Sequence, residues 1–378
     1  MTHALHSHGL AGEDVAPVWA PLAETELRPL LARYLQLGAL HSIDWHSPRP
    51  FSAAALVSTE TGQWFVKRHA QAVRSAAWLE EEHGFIRHLR ANGVPAPKVQ
   101  LDREGRSAIA VGAWTYEVHA RSPGADLYRD AQSWSPFHSH AHAHAAGRAL
   151  AELHQAAEGY HAPARHATVL SSRCHAFAQP QPLATLTQQV RHSPALSRYL
   201  ADRDWPGELR RALLPAHQAL LPHLARQTPL WTHNDWHASN LLWANDQVSS
   251  VLDFGLCDRT FALFDLATAL ERNAIPWLEL DSGGQAAADL GTVDALLAGY
   301  ASIKPLATAD IEALAAWLPV VHADFAISET EYFAGVLDDH ASADIAWDGY
   351  LLRHADWFVG PEGQRLIEHL HPRKRDGS

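Results

Sequence analysis

The sequence predicts an α+β protein in which a small β-rich lobe precedes a large helical lobe. Three observations carry this prediction. Up to about residue 119, short runs of β-branched and aromatic residues surround one strong helix. The stretch SPGAD, Ser122–Asp126, then punctuates the chain. Beyond it the periodic stretches are helical, interrupted by one short hairpin.

The elements follow in chain order. Residues 1–20 read as a flexible tail, 21–119 as the N-terminal lobe, 120–372 as the C-terminal lobe and 373–378 as a second tail. Leu22–Leu37 has the spacing of a helix. Phe51–Val57 and Gln63–His69 read as strands joined by a turn containing Thr61-Gly62. Ser75–Ala91 is a strong helix, stopped by Asn92-Gly93 with Pro95 and Pro97 following. Ser107–Val111 and Trp114–His119 are two further strands. Helices are predicted from about His140 to Ala157 and through Pro182–Arg226. Leu241–Trp243 and Val248–Leu252 flank the turn Asn245-Asp246, and helices resume from Leu263.

Composition narrows the class. With 378 residues, 47% hydrophobic and 19% charged, the chain reads as a globular protein. No run approaches the roughly eighteen apolar residues of a membrane span. The opening MTHALHSHGLAGEDVAPVW lacks the basic start and apolar core of a signal peptide, so a cytoplasmic protein is expected. Cys174 and Cys257 form neither a disulfide framework nor a zinc pattern. A net charge of -12 argues against a nucleic-acid partner and favours cationic ligands. The run HSHAHAH, His138–His144, offers the i,i+4 pairs His138/His142 and His140/His144. It has no third ligand and no H-E-x-x-H glutamate, so it reads as a solvated helix start with incidental affinity for nickel or zinc.

The chemistry lies in WTHNDWHASNLLWANDQVSSVLDFG, Trp231–Gly255. Asp235 is followed five residues later by Asn240, and thirteen beyond that by Asp253 in Asp253-Phe254-Gly255. Phosphoryl transfer from a nucleotide needs this set. One carboxylate orients the attacking hydroxyl, while an amide oxygen and a second carboxylate hold Mg²⁺ against the ATP phosphates. A loop leading into a hairpin brings Asn240 and Asp253 to the same end.

THNDWHASNLLW resembles the H-G-D-x-H-x-x-N pattern of the aminoglycoside phosphotransferase and choline kinase family. VLDFG resembles its partner I-D-F/W, and LFDLATAL, Leu263–Leu270, its following helix start. The resemblance spans about Phe51 to Tyr300 and implies a protein-kinase-like two-lobed fold with ATP and Mg²⁺ as cofactors. It makes Asp235 the catalytic base or hydroxyl-orienting group, Asn240 and Asp253 the Mg²⁺ ligands, and His233 a support of the catalytic loop. His237 would pack beneath that loop or bond to its backbone, and Asp265 would brace it from a helix start. Two departures are visible: Asn234 stands where the family has Gly, and Ser239 where it often has Gly.

In the small lobe Lys67 ends an apolar strand. On the next helix, at about 100° per residue, Glu82 falls within the stripe Trp78, Phe85, Ile86 and Leu89. A carboxylate there needs a partner, so a Lys67–Glu82 pair at the nucleotide phosphates is expected. The segment 47–55 contains no glycine, and Ser52 with its neighbouring N–H groups is the candidate phosphate contact. The resemblance makes the backbone from Glu117 to His119 the adenine-binding hinge. On the acceptor side, His322, Phe325, Glu329 and Phe333 share one predicted helix face; its two ionisable groups make either a buried polar pair or a pocket wall, and the second reading nominates Glu329 and His322 as substrate residues. The reading is a kinase for a hydroxyl of an aminocyclitol, amino alcohol, sugar or amino acid. An atypical bacterial Ser/Thr protein kinase and a nucleotide-binding pseudokinase or scaffold are the alternatives. No A-P-E equivalent follows Asp253, which disfavours the first. Intact Lys67, Asp235, Asn240 and Asp253 disfavour the second.

Overall fold

Alternation of side chains builds the small lobe. A computed structural model describes residues 7–10, 13–281 and 283–371. Its first sheet has five antiparallel strands: β1 (Leu40–His46), β2 (Ala53–Thr59), β3 (Gly62–Ala70), β4 (Ala108–Val111) and β5 (Trp114–Ala120), in the order β1-β2-β3-β5-β4. Val66 on β3 stands opposite Val118 on β5, and Lys67 opposite Glu117. Because neighbours along a strand point to opposite faces, Val66 and Val118 join a buried core with Leu27, Leu30 and Leu31 of α1 (Glu24–Leu31). Lys67 and Glu117 therefore share the other face, which looks into the cleft. α2 (Ala76–Ala91), capped by the Ser75 hydroxyl on the Trp78 N–H, lies against that face.

The large lobe is helical around a second core. It holds α3 (His140–Ala157), α4 (Ala262–Ala274), α5 (Leu290–Ala301) and α6 (Thr308–Tyr332). The predicted helical stretch Pro182–Arg226 is cut into pieces at Pro182, Pro194, Trp205-Pro206 and Leu214-Pro215, because proline starts helices and does not continue them. Two short antiparallel pairs carry the site. One joins β6 (Pro229–Thr232) to β9 (Asp258–Phe261), and the other joins β7 (Leu241–Ala244) to β8 (Gln247–Val251). The first pair and β1 are absent from the sequence reading; four-residue strands and the mixed polar run LHSIDWH carry little periodic signal. The helix predicted over Leu22–Leu37 is confined to α1, and the chain turns before β1.

The expected N-terminal tail is packed where it is described. Ser7–His8 pairs with Asp14–Val15, and the Trp19 indole N–H donates to the Tyr332 hydroxyl at 2.9 Å. The expected tail at 373–378 lies outside the described residues. Thr308–Leu337 is long and apolar enough to cross a bilayer, yet 72% of its apolar window is buried inside the protein, as befits a core helix. The histidine run is less solvated than expected. His142 is buried, stacks on Trp243 and bonds the Tyr128 hydroxyl at 2.8 Å.

Candidate active site

The loop between β6 and β7 is held by one helix. Asp265, fully buried in the first turn of α4, accepts the backbone N–H groups of His233 (2.9 Å) and Asn234 (2.8 Å). His154 on α3 bonds the same carboxylate at 3.0 Å and the Tyr300 hydroxyl at 2.9 Å. Seven and eight residues further along α4, Arg272 and Asn273 return to the same side. The Asn273 side chain accepts the Ala238 N–H at 3.0 Å and donates to the Trp236 carbonyl at 2.9 Å. Arg272 contacts the Asp235 carboxylate. Arg272 and Asn273 belong to no motif in the sequence; the signal for them is their spacing from Asp265 on a buried helix.

The loop's own residues are equally committed. His233 donates from Nε2 to the Leu252 carbonyl at 2.9 Å and accepts the Asp235 N–H at Nδ1. Asn234 adopts a left-handed φ of 61°, which explains the glycine preference at that position. Here asparagine is anchored instead. Its amide nitrogen bonds the Leu256 carbonyl, and its oxygen accepts the Thr232 and Thr260 hydroxyls at 2.8 and 3.1 Å. His237 packs beneath, bonds the Ser239 hydroxyl at 2.9 Å, and has its pKa pushed down to about 3 by burial and then by Arg49.

The three motif residues converge. Asn240 donates its amide N–H groups to the Asp235 carbonyl (2.9 Å) and Oδ2 (3.0 Å), leaving its oxygen as a donor to a cation. Asp253, with φ 53°, turns its carboxylate toward Lys67, whose Nζ lies 3.2 Å from Oδ1. Burial opposes the Asp253 charge, but Lys67 outweighs it and holds the carboxyl at about 2. The Lys67 ammonium is shifted upward: burial acts against it, and Asp253, Glu117 and Glu82 override burial. A hard cation is served by such oxygen donors, and the Asn240 amide oxygen and the Asp253 carboxylate fit Mg²⁺.

Three expectations are corrected. Lys67 does not pair with Glu82. Lys67 takes Asp253, and Glu82 is buried against the Arg165 guanidinium at 3.4 Å. Arg165 comes from an irregular segment 83 residues away and also bonds the Gly255 and Cys257 carbonyls. Its multiple donors suit that crowded site better than an ammonium.

The Glu117–His119 backbone is not a free hinge. Glu117 pairs with Lys67 on one side and Ala108 on the other, and the Val118 carbonyl accepts the Gln100 N–H. Glu117 instead uses its buried carboxylate to gather His69 (2.9 Å), His83 (2.8 Å) and His119 (2.6 Å), each through Nε2. Burial raises its pKa, but His119 and the imidazole N–H groups hold it well below the usual carboxylate range.

His322 is not in the cleft. Its Nε2 bonds the Leu351 carbonyl at 3.1 Å and its ring stacks on Phe358. Seven residues make about two helical turns, or about 10 Å along α6, so sharing a face with Glu329 does not mean sharing a site.

Two cavities with shared walls lie over this constellation. One is bounded by the cleft face of the small-lobe sheet, with Phe65, Lys67, Glu117 and Leu252 among its walls. The other is lined by Asp235, Trp134, Phe325, Glu329 and Tyr350. Ser52, Lys67, Glu82, Asn240 and Asp253 border both. Glu329 is 2% exposed, its Oε2 has no hydrogen-bond partner among the described residues, and burial pushes its pKa to about 8 against the pull of Arg272.

A five-stranded small lobe and a helical lobe, meeting at a lysine, an amide and two carboxylates, define a protein-kinase-like phosphotransferase. The chain belongs to the family described as "Phosphotransferase enzyme family", which matches residues 50–306. It is a small-molecule kinase by class. Homoserine kinase of Azorhizobium caulinodans is 26% identical over 298 residues, 79% of this chain and 82% of that protein. Homoserine kinase of Methylobacterium radiotolerans is 25% identical over 310 residues, again 79% and 82%. A microcompartment-associated aminopropanol kinase superposes with a TM-score of 0.61 at 18% identity, over 93% of this chain and 99% of that one. An amicoumacin kinase in complex with AMP-PNP and Ca²⁺ superposes at 0.57 with 15% identity, over 88% and 93%. At these identities the structural likeness speaks for the fold.

Proposed function

We propose that this chain transfers the γ-phosphoryl group of ATP, with Mg²⁺, to a hydroxyl of a small amino-bearing alcohol or amino acid. The observation that carries the reading is that the two cavities share Lys67, Asn240 and Asp253 in their walls, with Asp235 beside Asn240 on the acceptor side. ATP would occupy the cavity under the small-lobe sheet, with Lys67 and Ser52 at its phosphates. Asn240 and Asp253 would hold Mg²⁺, which when bound neutralises phosphate charge. Asp235, steadied by Asn240 and Arg272, would orient the acceptor hydroxyl and take its proton.

Glu329 supports the amino-bearing acceptor. A buried acid whose Oε2 lacks a hydrogen-bond partner among the described residues, lining a cavity with the rings of Trp134, Phe325 and Tyr350, suits an ammonium that supplies the missing contact. The relatives are named for homoserine and aminopropanol, both amino-bearing. An acceptor cavity walled by aromatic rings is better matched to a small molecule than to a protein loop. Incubation with γ-labelled ATP and a panel of homoserine, aminopropanol and aminocyclitols tests the reading. Label transfer to one of them that is absent in Asp235→Asn supports it. Label transfer only to protein would point to a protein kinase, and the absence of any turnover to a nucleotide-binding scaffold.

A further inference from the structure

We propose that Arg49, in the glycine-free turn between β1 and β2, is a catalytic residue whose guanidinium contacts the phosphoryl group as it passes from nucleotide to acceptor. The inference rests on the kinase reading above and adds a residue that neither the sequence motifs nor that reading assigns.

Position is the first argument. Arg49 borders both cavities, alongside Ser52, Lys67, Asn240 and Asp253. A group that leaves one cavity and enters the other crosses this boundary. The segment 47–52 forms its roof.

Anchoring is the second. A glycine-rich loop approaches phosphates through bare backbone, and this turn has no glycine. It is held down by a side chain. The Phe51 ring packs edge-on against Phe325 (6.2 Å) and Tyr332 (5.2 Å) and tilted against Phe333 (6.2 Å), all from the acceptor-side helix and the turn that follows it. Such aromatic contacts fix the turn across the cleft, two residues from Arg49.

Charge is the third. Arg49 Nη1 lies 3.1 Å from His8 Nδ1 and 3.2 Å from Ser133 Oγ, and among the described residues Arg49 makes no ion pair. Asp126 and Asp253 act on it only through space, and burial weakens its hold on its proton. A half-buried guanidinium tethered by an imidazole and a hydroxyl, at the edge of two cavities, retains donors for an anion. Its planar fork matches two phosphoryl oxygens.

In the transfer, the acceptor oxygen forms a bond to the γ-phosphorus. The bond from that phosphorus to the β,γ-bridging oxygen breaks, and its electron pair leaves on ADP. The hydroxyl proton passes to Asp235. Arg49 donates hydrogen bonds to the equatorial oxygens, where charge resides in the transition state, and is unchanged at the end.

The test compares the full chain with Arg49→Ala and Arg49→Lys by calorimetric titration with Mg²⁺ and either ADP or ADP plus aluminium fluoride. Turnover and thermal melts are measured in parallel. The expected result for Arg49→Ala is ADP affinity within about twofold of wild type, aluminium fluoride complex formation weakened about tenfold or more, and turnover lowered about 10²–10³-fold. Arg49→Lys is expected to fall between, because it keeps the charge and loses the fork. Equal weakening of both ligands with a lowered melting temperature would overturn the proposal and make Arg49 a strut between His8 and Ser133. Unchanged discrimination between the two ligands would overturn it as well. If wild type transfers nothing from ATP to any acceptor, the kinase reading fails and Arg49 falls with it, an outcome distinct from a defect confined to the variants.

Discussion

At Asp235 the Asn240 amide and the Arg272 guanidinium meet a single carboxylate, and His237 Nε2 lies 3.5 Å away. An asparagine there keeps the shape and loses the proton acceptor. Asp235→Asn is therefore expected to retain ATP binding and lower turnover about 10²–10⁴-fold in steady-state assays; near-wild-type turnover in the purified variant would remove Asp235 from this role. Glu329 makes a different kind of prediction. With a folded pKa of about 8 against an ordinary 4.5, it retains in the folded free protein a proton that the unfolded chain loses. Stability contributed by that group falls as pH rises from about 4.5 to 8 and then levels. A cationic acceptor binds the ionised form, so its KM is expected to fall over the upper part of the same range. Glu329→Gln should flatten both trends and raise the acceptor KM about tenfold or more at pH 8 while leaving ATP affinity unchanged. Melts and acceptor kinetics across pH check this, and an unchanged KM with a lower melting point would make Glu329 a core residue only.

Among the elements, α4 matters most to the site. Asp265, Arg272 and Asn273 lie within one helix, and each reaches the catalytic loop. Loop geometry is thereby tied to α4, which packs with α5 and α6 in the larger core. The support beneath is tight. Gly147 of α3 and Gly299 of α5 let the two backbones touch, and a Cβ on Gly299 would overlap the His144 carbonyl. Alanine gains about 1 kcal/mol over glycine in a helix interior. The atoms in the way are backbone and cannot swing aside, so the overlap wins. Gly299→Ala is expected to destabilise by about 1–3 kcal/mol and to lower the melting temperature by several degrees. An unchanged or raised melting temperature would show that α3 and α5 can separate without loss.

For the whole molecule, the active site exists only where the lobes meet. Lys67 belongs to the small lobe and Asp253 to the large one, and the ion pair between them spans the cleft. Phe51, Trp19 and Arg74 add three more ties across it, to α6 and the turn beyond it, to Tyr332 and to the Gly255 carbonyl. On the proposed reading Asp253→Ala removes both the carboxylate that would hold the cation and the Lys67 partner, so ATP binding is expected to lose its Mg²⁺ dependence. Asn240→Ala, which removes only a neutral oxygen, should weaken that dependence less. ATP titrations at several Mg²⁺ concentrations distinguish the two, and Mg²⁺ dependence unchanged in Asp253→Ala would exclude that carboxylate as a ligand. The net charge of -12 places the whole chain in the right sign to attract a cationic acceptor, with an effect that fades as salt rises.

The order of the lobes, the hairpin and the trio Asp235, Asn240 and Asp253 were legible in the sequence by itself. The physical reason is locality. The trio lies within nineteen residues of chain, counted from 235 to 253, and the backbone bonds of one loop and one hairpin close that distance whatever surrounds them. Asp265, at the start of the next helix, was nominated by the family resemblance, since its contacts with the loop reach across 31 and 32 residues. Which cation meets which carboxylate was decided only by the tertiary structure. Lys67 finds Asp253 across 186 residues, Glu82 is taken by Arg165 across 83, and Glu117 gathers three imidazoles from β3, α2 and its own strand. Helical periodicity placed Glu82 and Glu329 on buried faces correctly, and their burial is observed. It could not say that His322, two turns away, faces another part of the core, or that Arg49 reaches the cleft from a turn without a glycine. A periodic pattern reports how much water a side chain loses. The partner that replaces the water is set by competition among charges that meet only when the chain is packed.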